Sequence, residues 1–165
     1  MKNRNLEHKN EWKTPQSLYD KLNEEFNFDF DPCPLFYGEI TPDRDGLLIP
    51  WGKSNFINPP YSRKLKEDFI KRAIEESKNG VVCVMLLPVS TSTEIFHKYI
   101  LPSASEIRFV YKRVSFEGIN TFGKKVGQGS APMHDSMIVV FRQAHHTTTA
   151  IRSCVAISYE QCSNR

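Results

Sequence analysis

Ser54-Asn55-Phe56-Ile57-Asn58-Pro59-Pro60-Tyr61 is the stretch on which the reading of this chain turns. Ser54 to Ile57 has the character of a short strand, so Asn58 to Tyr61 falls just past a strand's C-terminal end. In open α/β sheets that is where ligands bind. The four residue types suit one task, which is to hold a planar amine-bearing group and expose its nitrogen to an electrophile. Asn58 offers a side-chain carbonyl acceptor. Pro59 and Pro60 hold φ at about −65° and remove two N–H donors, leaving carbonyls that can face a substrate. Tyr61 offers an aromatic face for stacking. The plainer reading of the same residues is a turn, since Asn-Pro marks turns readily. A WW-domain ligand fits less well, because that mode needs an extended Pro-rich segment.

Working outward, Leu65 to Lys78 has an apolar face at Phe69, Ala73 and Ile74 and a stop signal at Asn79-Gly80, which predicts a helix. Val81 to Leu87 is a continuous apolar run of the kind that forms a parallel strand buried on both faces. A helix is expected over about Thr93 to Ile100, a strand over Ile107 to Phe116, and a last strand within Asp135 to Arg142. Upstream, Leu18, Leu22 and Phe26 recur at helical spacing from Gln16 to Phe26. Thr14 is the expected N-cap, with Pro15 at the first helical position. Phe28 to Asp31 alternates like a short strand and stops at Pro32-Cys33-Pro34. Residues 35–53 read as an irregular loop containing Asp45-Gly46 and Trp51. Gly118 to Pro132 reads as a Gly-rich mobile loop.

Strands alternating with helices predict an α/β fold with a mostly parallel sheet. The last two strands lack an intervening helix, so an antiparallel pair is expected at the sheet's end. The domain reading is a flexible polar lead over 1–11, one folded domain over 12–143, and a tail over 144–165, where Thr149 to Tyr159 has strand character without a place.

Composition sets bounds. A chain of 165 residues fits one domain. No apolar run approaches the roughly 18 residues of a membrane span, and the polar start is no signal peptide. The formal charge of +3 permits a nucleic-acid partner without demanding one. Cys33, Cys83, Cys154 and Cys162 form no C-x-x-C pair, and His97, His134 and His145-His146 have no ligand spacing, so no metal site is expected. Cys83 reads as a buried thiol, and the whole as a reduced, cytosolic protein.

The order of these segments resembles the small phage-type DNA N6-adenine methyltransferases, the phage Dam family. Glu11-Trp12-Lys13-Thr14-Pro15 looks like the family's opening motif. Phe30-Asp31-Pro32-Cys33 looks like its abbreviated cofactor motif, and Asn58-Pro59-Pro60-Tyr61 like its catalytic tetrapeptide. Met85-Leu86-Leu87-Pro88 with Thr91 and Phe96-His97, then Glu106-Ile107-Arg108-Phe109, then Ala131-Pro132 through Phe141, continue the pattern. The resemblance covers Asn10 to Arg142. It implies an abbreviated Rossmann-like S-adenosylmethionine-dependent methyltransferase fold, with a mostly parallel sheet and an antiparallel terminal strand. It implies S-adenosylmethionine as cofactor, adenine in double-stranded DNA as substrate, and a place in the cytoplasm of a bacterial host. Protection from host restriction is a purpose consistent with it. One departure is plain: larger relatives carry a Gly-rich turn after the first strand, whereas Asp31-Pro32-Cys33-Pro34 stands here and the nearest glycine is Gly38.

The resemblance makes Asn58, Pro59, Pro60 and Tyr61 catalytic. Trp12, Thr14, Pro15, Asp31, Pro32, Cys33, Asp45 and Asn58 become cofactor residues. Residue chemistry leaves second roles open: capping for Thr14 and Pro15, core packing for Trp12, a turn cap for Asp31, a loop staple for Asp45 and Trp51. Arg63, Lys64 and Lys66, then Lys112, Arg113, Lys124 and Lys125, are candidates to grip DNA phosphates, with an ordinary charged surface as the alternative. Two further functions stay open. One is methyl transfer to another planar amine: cytosine N4, RNA adenine or protein glutamine. The other is a DNA-binding module without catalysis.

Overall fold

The structure, a computed structural model, describes residues 12–34, 40–119, 125–126 and 134–143, with backbone alone at 117–119 and 125–126. The expected lead, the tail, Lys124, Gly38, Cys154, Cys162 and His145-His146 lie outside the described residues.

The first elements are a two-residue strand, Trp12–Lys13 (β1), and a helix, Gln16–Phe26 (α1). The expected cap is displaced by one residue. Pro15, at φ −55° and ψ 133°, is the N-cap, and its carbonyl accepts from the N–H groups of Leu18 and Tyr19. The Thr14 side chain is therefore outside the helix and meets another part of the chain. Asn27, left-handed at φ 49°, closes α1, and the Asn23 side chain accepts from the Phe28 N–H.

The strand expected at Phe28 to Asp31 is reduced to one parallel bridge, Phe30 to Asn55. The Asp29 carboxylate competes for this edge of the pairing: it accepts from the backbone N–H groups of Lys53 and Ser54. The backbone bonds here, among the described residues, are limited to Asp29 and Phe30 N–H on Ser54 O and Phe56 N–H on Phe30 O. Ser54–Ile57 (β2) and Val82–Pro88 (β3) pair in parallel. Arg63–Lys78 (α2) connects them and ends at Asn79 and Gly80, the latter at φ +85°.

The helix expected over Thr93 to Ile100 is a π-helical turn over Phe96–Ile100, continued by Leu101–Ser103 (α3). The strand expected over Ile107 to Phe116 is shorter, Glu106–Phe109 (β4). Among the described residues its partner is the last strand, Ser136–Phe141, and Phe109 pairs with Met137 near that strand's start. One more bond, Val110 N–H to Ser136 O, continues the pairing to the first residue of that strand, and the chain then bends away at Lys112, which has φ 63°. It then forms Glu117–Ile119 (β5) and Lys125–Val126 (β6) before the last strand, Ser136–Phe141 (β7).

The main sheet has the order β2-β3-β7-β4. β7 runs antiparallel to both neighbours, so β2, β3 and β4 share one direction. Three of the four strands thus point the same way, and the one antiparallel strand is last in the chain but interior to the sheet, an abbreviated Rossmann-like arrangement. The expected antiparallel pair stands at one end, but the last strand is inserted inside it and β4 forms the edge. β1, β5 and β6 make a separate antiparallel sheet that local patterning did not reveal.

Period-2 alternation divides the core between the two faces. Cys83, Met85, Leu87, Met137, Val139 and Phe141 pack with Phe69, Ile70 and Ala73 of α2 and with the π-helical turn. Val84, Leu86, Ile138 and Val140 pack with Leu18 and Leu22 of α1. No helix among the described residues is long and apolar enough to cross a membrane.

Candidate active site

The parallel strands all end on one edge of the main sheet. From it leave Asp31 to Pro34, Asn58 to Ser62, Val89 to Thr93, and the segment after Phe109. β7 begins at the same edge, held there by Val89 N–H to Asp135 O and Val110 N–H to Ser136 O.

Asn58 stands at the end of β2, half-buried. Its Nδ2 donates to the Trp12 carbonyl at 2.9 Å and to Thr14 Oγ1 at 3.2 Å. A backbone carbonyl can only accept, so the nitrogen end of the amide must face Trp12. Asn58 Oδ1 is buried and has no hydrogen-bond partner among the described residues. Such an atom in a native fold calls for an explanation, and a substrate donor is one. Pro59, buried beside it, presents a carbonyl but no N–H.

Tyr61 is close by. Its hydroxyl is buried without a partner among the described residues, and burial pushes its pKa up, so it stays neutral. Its ring stands perpendicular to Phe116 at 6.1 Å. Phe116 also meets Trp12 edge-on at 6.4 Å. The three rings form one aromatic row, Trp12–Phe116–Tyr61, joined to Asn58 through the Trp12 carbonyl. Phe116 was missed from sequence, where it reads as the end of a strand. Trp12 is neither deep in the core nor free at the surface; it is half-buried in this row.

The second group of expected residues surrounds Asp31. Asp31 Oδ1 accepts from the Cys33 N–H at 2.8 Å, and burial outweighs that bond, raising the carboxyl's pKa to about 6. Asp45 Oδ1 accepts from the Leu47 N–H at 2.9 Å. Both carboxylates therefore cap their own turns with one oxygen. Burial pushes the Cys33 thiol up, with Asp31 and then Asp45 adding to the effect, which brings the three residues into one cluster. Pro32 is buried beneath Gly46.

Trp51 is a staple of the 45–51 loop. Its Nε1 donates to Gly46 O at 2.7 Å, and its ring stacks on Phe69. Arg72, which sequence patterning did not single out, holds the same loop through the carbonyls of Leu47 and Ile49 while pairing with Glu76. The Phe30 bridge makes the Asp31 arm the neighbour of β2, so the Asp31 and Asn58 groups leave the sheet side by side.

The basic candidates are spread along this edge. Arg63 pairs loosely with Glu94 at 3.8 Å, and Lys64 with Asp68 at 2.6 Å. Burial lowers the pKa of Lys66, which lines a small cleft with Pro88, Ser90 and Thr93. Lys112 is exposed, 5.9 Å from the Tyr111 ring. Arg113 pairs with Asp135 at 2.8 Å. Lys125 is described by its backbone alone, in β6.

Comparison with known proteins finds relatives of the chain as a whole. Residues 2–161 match a family model described as DNA N-6-adenine-methyltransferase (Dam). A DNA N-6-adenine-methyltransferase of Escherichia phage T1 is 33% identical over 96 residues, 52% of this chain. The matched stretch is 38% of the phage protein, so the chain spans well under half of that relative's length. A solved structure from Listeria monocytogenes, proposed to be a class I S-adenosylmethionine-dependent methyltransferase, matches 70% of this chain and 40% of its own at 13% identity, with a TM-score of 0.42.

Proposed function

The chain belongs to the DNA N-6-adenine-methyltransferase (Dam) family, and from that premise we propose that it moves a methyl group from S-adenosylmethionine to the N6 amine of an adenine turned out of double-stranded DNA. The observation that carries this reading is the buried, unpartnered Asn58 Oδ1, beside an Nδ2 already engaged twice.

An exocyclic amine is a poor nucleophile because its lone pair is delocalised into the ring. Asn58 Oδ1 accepts one of its N–H groups and the Pro59 carbonyl the other. These contacts favour a tetrahedral nitrogen and aim its lone pair. They strengthen as positive charge grows on nitrogen, so they stabilise the transition state more than the ground state. Holding the nitrogen in line adds an orientation term. Tyr61 stacks on the extruded base, which a duplex would otherwise keep out of reach. No covalent enzyme intermediate is required.

S-adenosylmethionine, when bound, supplies the methyl group on an electrophilic sulfonium. It carries no phosphate, so its chemistry requires no phosphate cradle; Asp31-Pro32-Cys33-Pro34 stands where larger relatives carry their Gly-rich turn. Asp31, half-buried, suits its ribose hydroxyls or adenine amine, with Pro32, Cys33 and Asp45 around that end. Thr14 Oγ1 accepts from Asn58, which leaves the hydroxyl proton for the cofactor's carboxylate. Pro15 and the Trp12 ring border the same space. Arg63, Lys64, Lys112, Arg113, Lys124 and Lys125 are assigned to DNA phosphates, and the reaction to the cytoplasm of a bacterial host.

Transfer of labelled methyl to unmethylated duplex DNA, followed by nucleoside analysis, tests this. The expected product is N6-methyladenine, lost in Asn58→Ala while cofactor binding remains. N4-methylcytosine, or label confined to RNA or protein, would replace the acceptor. No transfer and no cofactor affinity would leave a DNA-binding module.

A further inference from the structure

We propose that Thr14 is a positioning residue for the Asn58 carboxamide, and that the small second sheet decides which end of that amide faces the target. The proposal rests on the reading of Asn58 Oδ1 as the amine's acceptor.

The two ends of a carboxamide are nearly equal in size, so shape alone does not choose between them; hydrogen bonding does. Here Nδ2 has two hydrogens and two acceptors, the Trp12 carbonyl and Thr14 Oγ1. Turning the amide over would set Oδ1 against the Trp12 carbonyl, two acceptors with no hydrogen between them. It would also place N–H groups where the substrate's own N–H must go. Both acceptors come from one short stretch anchored on each side. Upstream, Trp12 pairs with Gly118 and Lys13 with Glu117, tying β1 to β5. Downstream, Pro15 begins α1, with its carbonyl engaged by Leu18 and Tyr19. Thr14 is the single residue between these anchors. Its displacement from the helix-cap position leaves its hydroxyl available to Asn58.

Two variants test this with the full chain, each checked by thermal melting. Thr14→Val keeps the shape and removes the acceptor. Thr14→Ser keeps Oγ. The expected result is a kcat about tenfold lower in Thr14→Val at saturating cofactor and DNA, the scale of one lost hydrogen bond. Thr14→Ser restores it to within about twofold, a rescue that a packing role for the γ-methyl would not give. A Thr14→Val enzyme with wild-type kcat would overturn the proposal. So would a variant whose only defect is weaker cofactor binding. Asn58→Ala separates the two levels. If it is active, the acceptor reading fails and this proposal with it. If it is inactive while Thr14→Val is normal, the positioning role alone fails.

Discussion

Gly46 approaches the carbonyl of Pro32 so closely that a Cβ on Gly46 would lie 1.9 Å from that oxygen. The contact presses the 45–51 loop onto the turn that carries Asp31 and Cys33. Trp51 and Arg72 hold the loop from its other side. Gly46→Ala must therefore separate the two backbones, and it also crowds the Phe69 ring, 3.1 Å from the same point. The expected cost is about 1–3 kcal/mol of stability, as for overpacking elsewhere, measured by urea unfolding. Cofactor affinity should fall with it, read by titration calorimetry. Wild-type values of both would mean that the loop and the Asp31 turn are independent.

Asp31 predicts a pH dependence with a definite sign. Burial raises its carboxyl from the ordinary aspartate range to about 6. The folded protein thus holds this proton more tightly than the unfolded chain does. The resulting stability is full below about 4 and is lost as pH rises through about 6. Asp31→Asn should flatten that slope. Cofactor binding should run the other way, tightening as pH rises through about 6, because the ionised carboxylate is the better acceptor for ribose hydroxyls. Calorimetry between pH 5 and pH 8 would read this; equal affinity across the range would remove Asp31 from the cofactor site.

Arg108 on β4 donates to both carboxylate oxygens of Glu25 near the end of α1, each at 2.6 Å, and to Glu106 at 2.9 Å. Its side chain is 12% exposed, as is that of Glu106. The hydrogen bond from Arg108 holds the Glu25 pKa down. That stabilisation is present above the ordinary glutamate range and is lost as pH falls through the lowered pKa. Arg108→Ala removes a largely buried guanidinium from both the Glu25 and the Glu106 carboxylates and should cost about 3 kcal/mol near neutral pH, and less in acid. Activity per folded molecule should be unchanged, since this clamp lies away from Asn58.

Lys112 is the basic candidate whose role is simplest to isolate. It is exposed, and no ion pair with a described carboxylate holds it. If it meets a phosphate, Lys112→Ala should weaken binding to all DNA sequences alike. It should also reduce the slope of log K against log salt by about one. An unchanged slope would return Lys112 to the ordinary surface.

The elements legible in the sequence are those whose pattern is local. Gln16 to Phe26 repeats at helical spacing, Ser54 to Ile57 ends at two prolines, and the run ending at Leu87 is apolar throughout. Each stands in the structure within a residue or so of its expected place. The departures have local causes that patterning overlooks. The Asp29 carboxylate takes up two N–H groups beside a short backbone pairing, and β4 stops where β7 begins.

By itself the sequence determined which residues have the right chemistry: an amide, two prolines and a tyrosine past a strand, a carboxylate past another, and apolar runs to bury between them. Only the tertiary structure decided how they meet. Thr14 reads as a helix cap until Asn58, 44 residues later, brings an amide to it. Phe116 reads as a strand end until the second sheet sets it between Trp12 and Tyr61. β7 reads only as one member of an antiparallel pair at the sheet's end until its two apolar faces place it between β3 and β4. The physical reason is common to all three. Residue type and periodicity act over neighbouring positions, whereas an amide's orientation, an aromatic row and a strand's place in a sheet depend on partners far along the chain.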